Sequence, residues 1–207
     1  MDKKDALKAL FQCAKLYQEN LEGRNILLIG ASNSLNKVEA MELLFEKTNF
    51  MHLTGVKFED GKRLPPDTFY NLCIQKRLSI NDFCMAEDGT TGMKLEVLPN
   101  IFGSKYLAAN MIGDFNDRRP ALFTDKLAGN ERACVGFKFD TDLDCYAPNT
   151  ILKLDMRDVI LNRQRIISAY RKKKDDPQYG DLVYKAKKVD WSKVRYPEEY
   201  AYIKLPE

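Results

Sequence analysis

The order of the helix and strand patterns restricts the fold of this chain more than any other feature. Short apolar and β-branched runs, typical of strands, occur at residues 25–30, 37–45, 133–139 and 166–170, on either side of a helical middle. The alternating order that βαβ units require does not occur. The sequence therefore predicts an α+β domain in which helices pack on an antiparallel β-sheet.

Local patterns place several of these elements. Apolar residues between Leu7 and Leu21 fall on one helical stripe, with Asp5 as a plausible cap. Another helix is expected to begin at Pro65-Pro66, because proline suits the first helical position. Residues 37–45 fit either a helix or a strand, and the turn-rich loop before them favours a strand paired as a hairpin.

His52 is the only histidine among the 207 residues. Imidazole has an ordinary pKa of about 6.5, so it can accept and release a proton near neutral pH. Phe50 and Leu53 should hold the segment against a core, while Thr54 offers a hydroxyl and Gly55 permits a turn or the close approach of a ligand. Two interpretations remain open: a catalytic site, or a half-buried histidine bonded to backbone at the end of a strand.

Composition indicates one domain over residues 1–207, because no linker rich in serine, glycine and proline divides the chain. The net charge of +3 is too small to indicate nucleic-acid binding. A distinctly basic C-terminal segment nevertheless begins at about residue 171 and includes residues 171–174 and 185–188, with Tyr170 and Trp191 nearby. Such a segment is either a solvated face or a surface on which single-stranded nucleic acid stacks.

The five cysteines are odd in number and widely spaced, which predicts reduced thiols in a cytoplasmic protein. Metal-ligand spacings such as Cys-x-x-Cys are missing, so neither a metal nor a cofactor is expected. The first residues lack the apolar core of a signal peptide, and no run reaches the roughly 18 apolar residues of a membrane span.

Residues 148–155 form a second polar cluster, Pro-Asn-Thr-Ile-Leu-Lys-Leu-Asp. They combine a rigid proline with hydroxyl, amide, ammonium and carboxylate groups. This cluster is either part of a site or a capped turn that runs into a solvated helix.

Four segments together resemble a known family: Asn-Phe-Met-His-Leu-Thr-Gly-Val at 49–56, Thr-Phe-Tyr at 68–70, Thr-Asp-Lys-Leu-Ala-Gly-Asn at 124–130, and the cluster at 148–155. Their order and spacing are similar to the phage-associated barnase, EndoU, colicin and RelE-like (BECR) nucleases, in the subgroup with a His-Leu-Thr-Gly motif. The resemblance implies a BECR ribonuclease-like fold with helices on an antiparallel sheet. It also implies a toxin-type, metal-independent endoribonuclease from a phage or another bacterial mobile element.

The resemblance further implies roles for individual residues. His52 becomes the leading catalytic group, with Thr54 beside it and Lys153 as a phosphate-binding partner. The predicted substrate-binding residues, from the matching motifs and the basic segment, are Lys126, Asn130, Asn149, Thr150, Arg171 and Lys172.

Cleavage of RNA through its 2′-hydroxyl needs a base, donors for the developing phosphorane charge, and an acid for the leaving oxygen. One histidine fills one role, and the other proton carrier is left open among a lysine, Tyr146 and Asp155. The expected partner is RNA, with an antitoxin or a host protein as a further partner. The alternative is a catalytically inactive scaffold that binds or inhibits a host protein or nucleic acid. Convergence of His52, Lys153 and Asn149 on one phosphate-sized site would favour catalysis over the scaffold.

Overall fold

The computed structural model describes residues 1–35, 37–103, 111–116 and 123–206. The helices in these ranges are α1 (Lys3–Asn20), α2 (Lys47–Thr54), α3 (Pro66–Ile74) and α4 (Thr90–Gly103). The strands are β1 (Arg24–Ala31), β2 (Val38–Phe45), β3 (Met111–Phe115), β4 (Lys126–Gly129), β5 (Cys134–Asp140), β6 (Cys145–Leu152), β7 (Ile160–Lys173) and β8 (Asp181–Lys185). Short 3₁₀-helices occur at Met156–Asp158, Trp191–Lys193 and Glu198–Tyr200.

Local sequence patterns predicted several elements correctly. The opening helix is confirmed as α1, although its N-cap is Asp2, whose carboxylate accepts a hydrogen bond from the Asp5 N–H at 2.8 Å. The helix predicted to begin at Pro65-Pro66 is confirmed as α3, which starts at Pro66. Strands β1 and β2 are confirmed and pair as an antiparallel hairpin. Hairpin partners lie close in the chain, so local patterns suffice to predict them.

The sheet closes on itself. Strands β1, β2, β6, β5, β4, β3 and β7 follow one another in that order, and β7 pairs with β1 to complete a seven-stranded barrel. Strand β7 is 14 residues long, with β1 along one edge and β3 followed by β8 along the other. This length lets one strand connect the two ends of the sheet.

The prediction of helices packed on an antiparallel sheet is therefore wrong. Strands β2 and β6 run parallel, with Leu43 opposite Tyr146, while the other pairs among the described strands are antiparallel. The described part of the chain is a closed mixed barrel with four helices. Closure and the parallel pair join segments far apart in the chain, and hydrophobic patterns within single segments do not encode such pairings.

Strand β1 shows how the cores are arranged, because it is buried on both faces. Ile26 and Leu28 belong to the main core, which contains residues of all four helices. The alternate residues Leu27 and Ile29 belong to a second core beneath the C-terminal segment, which contributes Val194. This two-sided burial explains why β1 reads as a nearly continuous apolar run.

The polar cluster at residues 148–155 does not run into a solvated helix, as one of the two interpretations had it. Its first part lies in β6, and Asp155 caps the 3₁₀-helix after it by accepting a hydrogen bond from the Arg157 N–H at 3.0 Å. All five cysteines, each in the described part of the chain, are free thiols. None of the helices in the described residues combines the length and apolar character needed to cross a bilayer.

Candidate active site

Helix α2 carries the only histidine, and local signals at both of its ends define it. The Asn49 side chain accepts a hydrogen bond from the Glu46 N–H at 2.7 Å, and the Glu46 side chain accepts one from the Asn49 N–H in return. Gly55 ends the helix in the left-handed conformation, with φ of 70°. The interpretation of His52 as a histidine at a strand end is therefore wrong, because His52 lies in a helical turn.

Burial of one helix face directs the imidazole outward. Phe50 and Leu53 are fully buried, whereas His52 is exposed. The start of the helix is fixed from beneath by Tyr17, whose hydroxyl donates to the Glu46 carbonyl at 2.7 Å. A partly buried hydrogen bond and an aromatic core therefore hold the histidine in place.

His52 borders a pocket of about 470 Å³ between α2, the loop after it and the start of α4. Three more cationic side chains, Lys57, Arg63 and Lys94, line the same pocket. Among the described residues, none of these three cations takes part in an ion pair within 4.0 Å. Their charges are therefore available to an anionic ligand.

Three carboxylates line the pocket, those of Glu59, Asp60 and Asp88, and two of them have partners of their own. Asp88 accepts a hydrogen bond from the Thr90 N–H at 2.9 Å, and backbone and side-chain hydrogen bonds from Thr90 lower its pKa. Glu59 forms an ion pair with Lys62. All three carboxylates are exposed, whereas Lys94 is buried, so the inner part of the pocket carries a positive charge.

Lys94 is the least expected member of this group, because its side chain is only 8% exposed. Its stem passes Gly55 so closely that a Cβ on residue 55 would lie 2.9 Å from Lys94 Cδ. Glycine at the end of α2 therefore both ends the helix and leaves room for this lysine. Sequence reasoning missed Lys94, because a lysine in a helical segment looks like a solvated surface residue and its contact with Gly55 spans the chain.

The electrostatics of the pocket follow from burial and from these like charges. Partial burial lowers the pKa of His52 below its ordinary value; Lys94, Lys57 and Arg63 lower it further, and a hydrogen bond with the Asn149 backbone opposes the change. The imidazole is therefore biased toward its neutral form, which is the form that can accept a proton.

Lys94 is affected in the same direction. Burial lowers the pKa of its ammonium, Lys57 adds to this effect, and Asp88 opposes it. A lysine in this environment gives up its proton more readily than a solvated one. The pocket thus holds two groups suited to proton transfer, and Lys94 is a candidate for the proton carrier that sequence reasoning left unassigned.

Of the other predicted site residues, Asn149 is the one near His52, because it lies in β6, against which α2 packs, and its backbone raises the pKa of the imidazole. Lys153 instead forms an ion pair with Glu96 at 2.8 Å and lines a separate pocket of about 640 Å³ together with Asn130. The Asn130 side chain accepts a hydrogen bond from the Arg132 N–H at 2.7 Å. The predicted convergence of His52, Lys153 and Asn149 is therefore incomplete.

Two of the remaining predicted residues are buried. The Thr54 hydroxyl donates to the Met51 carbonyl at 2.7 Å inside helix α2, and Thr150 is buried in β6. Lys126 lies 2.7 Å from the Asp114 carboxylate. None of these three lines the His52 pocket.

The two predicted substrate-binding residues in the basic C-terminal segment pair with carboxylates. Arg171 pairs with Asp181 at 2.6 Å, and Lys172 lies 3.8 Å from Glu42. Arg171 and Lys172 line a different pocket from that of His52. Their charge is therefore partly neutralised within the protein.

A positioned imidazole beside several cations, one of them buried, is the arrangement of a site that binds a phosphate group and moves protons. Among the described residues, no group of three or more His, Cys, Asp or Glu side chains could hold a metal ion. The imidazole and the cations thus suit a class of protein that acts on phosphodiesters.

Comparison with protein families names that class. The model of the phage-Barnase-EndoU-ColicinE5/D-RelE like nuclease4 family matches residues 9–188, and the chain belongs to this family. The resemblance stated from the sequence motifs is confirmed at the family level, and the protein is nuclease-like. The subgroup marked by the His-Leu-Thr-Gly motif stays a prediction. Comparisons with curated proteins and with solved structures found no match.

Proposed function

We propose that this protein is an endoribonuclease that cleaves RNA by 2′-hydroxyl transesterification, without a metal ion, in the pocket of His52 and Lys94. Membership of the nuclease family supports the reaction class. The observation that carries the proposal is that an exposed imidazole and a buried lysine line the same pocket. Its origin in a phage or mobile element, its action as a toxin, and an antitoxin or host-protein partner stay predictions from the resemblance.

His52 is the proposed base. Its lowered pKa favours the neutral imidazole, which takes the proton from the ribose 2′-hydroxyl. The 2′-oxygen then forms a bond to phosphorus while the bond from phosphorus to the 5′-oxygen breaks. The products are a 2′,3′-cyclic phosphate and a chain with a free 5′-hydroxyl.

Lys94 is the proposed partner of His52. Its ammonium offsets the negative charge that develops on the phosphoryl oxygens, and its lowered pKa suits it to give a proton to the departing 5′-oxygen. Lys57 and Arg63, on the more exposed side of the pocket, would hold the phosphates on either side. Proton exchange with water returns both catalytic groups to their starting states.

An RNA cleavage assay in the presence of a metal chelator tests the proposal. His52→Ala should lower the rate by about 10² to 10⁴, the usual contribution of a positioned proton carrier. Lys94→Met should lower it by about 10² to 10³, the usual cost of losing a donor to developing oxyanion charge. Lys94→Arg should retain more activity than Lys94→Met because it keeps the positive charge.

Lys153→Met is the matched control, because Lys153 was the lysine expected from the motif. It pairs with Glu96 in another pocket, so its loss should cost much less than the loss of Lys94. If Lys153→Met instead lowers the rate more than Lys94→Met, Lys153 is the phosphate-binding lysine. Undiminished cleavage by His52→Ala would refute the mechanism.

The separation of Lys153 from His52 favours a second candidate, the inactive scaffold that binds nucleic acid or a host protein. Binding and cleavage distinguish the two. A wild-type protein that binds single-stranded RNA but leaves it intact, with binding unaffected by His52→Ala, would select the scaffold.

A further inference from the structure

Phe123 is an aromatic residue with almost no packing of its own. Its side chain is 78% exposed, the highest value among the large hydrophobic residues that the structure describes as exposed. The Lys138 ammonium lies 6.0 Å from the centre of its ring. The core therefore gains little from this side chain, which presents a large aromatic surface beside a positive charge.

A short chain of contacts connects Phe123 to the candidate active site. The Asn149 side chain donates a hydrogen bond to the Phe123 carbonyl and accepts one from the Thr124 hydroxyl at 3.1 Å. Asn149 lies in β6, the strand against which helix α2 packs, and its backbone raises the pKa of the His52 imidazole. Asn149 thus connects the backbone of Phe123 to the strand that packs against the helix of His52.

We propose that the Phe123 ring is a platform on which one base of a single-stranded RNA substrate stacks, next to the nucleotide whose phosphate lies in the His52 pocket. This inference rests on the proposed function and names the recognition element of the same site. Phe123 does not line the 470 Å³ pocket, so the stacked base belongs to a neighbouring nucleotide. Lys138 supplies a cation for the backbone of that nucleotide.

The chemistry of RNA favours single-stranded RNA as the ligand that covers the Phe123 ring. Splayed bases of single-stranded RNA stack on aromatic side chains whatever their sequence, because every base has a π-face. Lys138 beside the ring suits RNA as well, because RNA carries both bases that stack and phosphates that are negatively charged. A protein partner would also cover the ring, but it would not make the indole at position 123 respond to the bases of an oligonucleotide.

Fluorescence gives a direct test of stacking, because Trp191 is the only tryptophan of the chain. In the double variant Trp191→Phe with Phe123→Trp, the new indole reports on its own surroundings. The probe is a single-stranded oligonucleotide with 2′-O-methyl groups, which cannot be cleaved through the 2′-oxygen. It should quench the indole, whereas an abasic oligonucleotide of the same length and charge should not. Equal responses to both probes, or no response to either, would overturn the proposal.

Cleavage kinetics give the second test. Phe123→Ala should raise KM for RNA by about 5- to 150-fold, the equivalent of the ~1–3 kcal/mol that a stacked base contributes, while Phe123→Tyr should stay near the wild type. Leu182→Ala removes another exposed apolar side chain, 41% exposed and on β8, and should leave KM unchanged. If the wild type cleaves RNA and Phe123→Ala leaves KM as unchanged as Leu182→Ala does, the stacking proposal is wrong while the proposed function stands. If the wild type does not cleave RNA, the proposed function fails, and the fluorescence test still decides whether Phe123 stacks on a base.

Discussion

Gly55→Ala should separate the two tasks of this glycine, which are to end helix α2 and to let Lys94 pass. The residue has φ of +70°, and in that region a Cβ costs about 1–2 kcal/mol. The new Cβ would also lie 2.9 Å from Lys94 Cδ, so the buried lysine must leave its rotamer at a cost of about 0.5–1.5 kcal/mol. The total expected loss of folding free energy is about 1.5–3.5 kcal/mol.

Gly23→Ala is the matched control. Gly23 has φ of +65°, and nothing lies within 4 Å of the Cβ it would gain. Gly23→Ala should therefore lose only the free energy of the backbone strain, about 1–2 kcal/mol. Urea unfolding of both variants should show the difference of about 0.5–1.5 kcal/mol as a lower midpoint for Gly55→Ala at an unchanged slope.

Activity should separate the variants further. A displacement of Lys94 of about 1 Å can cost up to about 10²-fold in rate, whereas Gly23→Ala leaves the pocket untouched. The assay is RNA cleavage at a temperature where both variants are folded. Equal losses of stability and of activity in the two variants would show that Lys94 does not pack across Gly55, and would remove the argument for its position in the pocket.

Two further predictions concern the histidine and its support. The single histidine gives one set of imidazole signals in an NMR titration, and the pKa of His52 should lie below its ordinary value. Lys94→Met removes a nearby positive charge and should raise the pKa of His52. Because the base must be neutral, the acidic limb of the cleavage rate should then move to higher pH. An unchanged His52 pKa in Lys94→Met would contradict the proximity of the two groups. Tyr17→Phe leaves the Glu46 carbonyl without its buried donor and should cost about 1–3 kcal/mol in chemical denaturation. Tyr184→Phe is the control, because the Tyr184 hydroxyl makes no hydrogen bond within the described residues; it should change stability by no more than about 0.5 kcal/mol. If the two substitutions have equal effects, Tyr17 does not anchor the start of α2.

Features with a local physical cause could be predicted from the sequence. Helix α1 follows from an apolar stripe, α3 from a proline at its start, and the β1–β2 hairpin from two apolar runs around a turn-rich loop. The family could be recognised from short motifs and was confirmed over residues 9–188. His52 could be singled out because the chain has no other histidine.

Some local signals for helix α2 were present in the sequence, but the strand patterns before it outweighed them. The Glu46 and Asn49 capping box and the terminal Gly55 mark a helix around His52, but strand patterns before it suggested a strand end. The apolar residues of so short a helix fit either period, so periodicity alone does not decide between them.

Tertiary structure decided what depends on contacts between distant segments. Pairing of β1 with β7 closes the barrel, and β2 lies parallel to β6, whereas each strand's own pattern fits an open antiparallel sheet equally well. The same holds for the site. Lys153 was the lysine suggested by sequence, yet Lys94 shares the pocket with His52, because the packing of α4 against the end of α2 carries a buried side chain past Gly55. A sequence shows which residues can carry a charge or a proton, but the free energy of packing decides which of them meet.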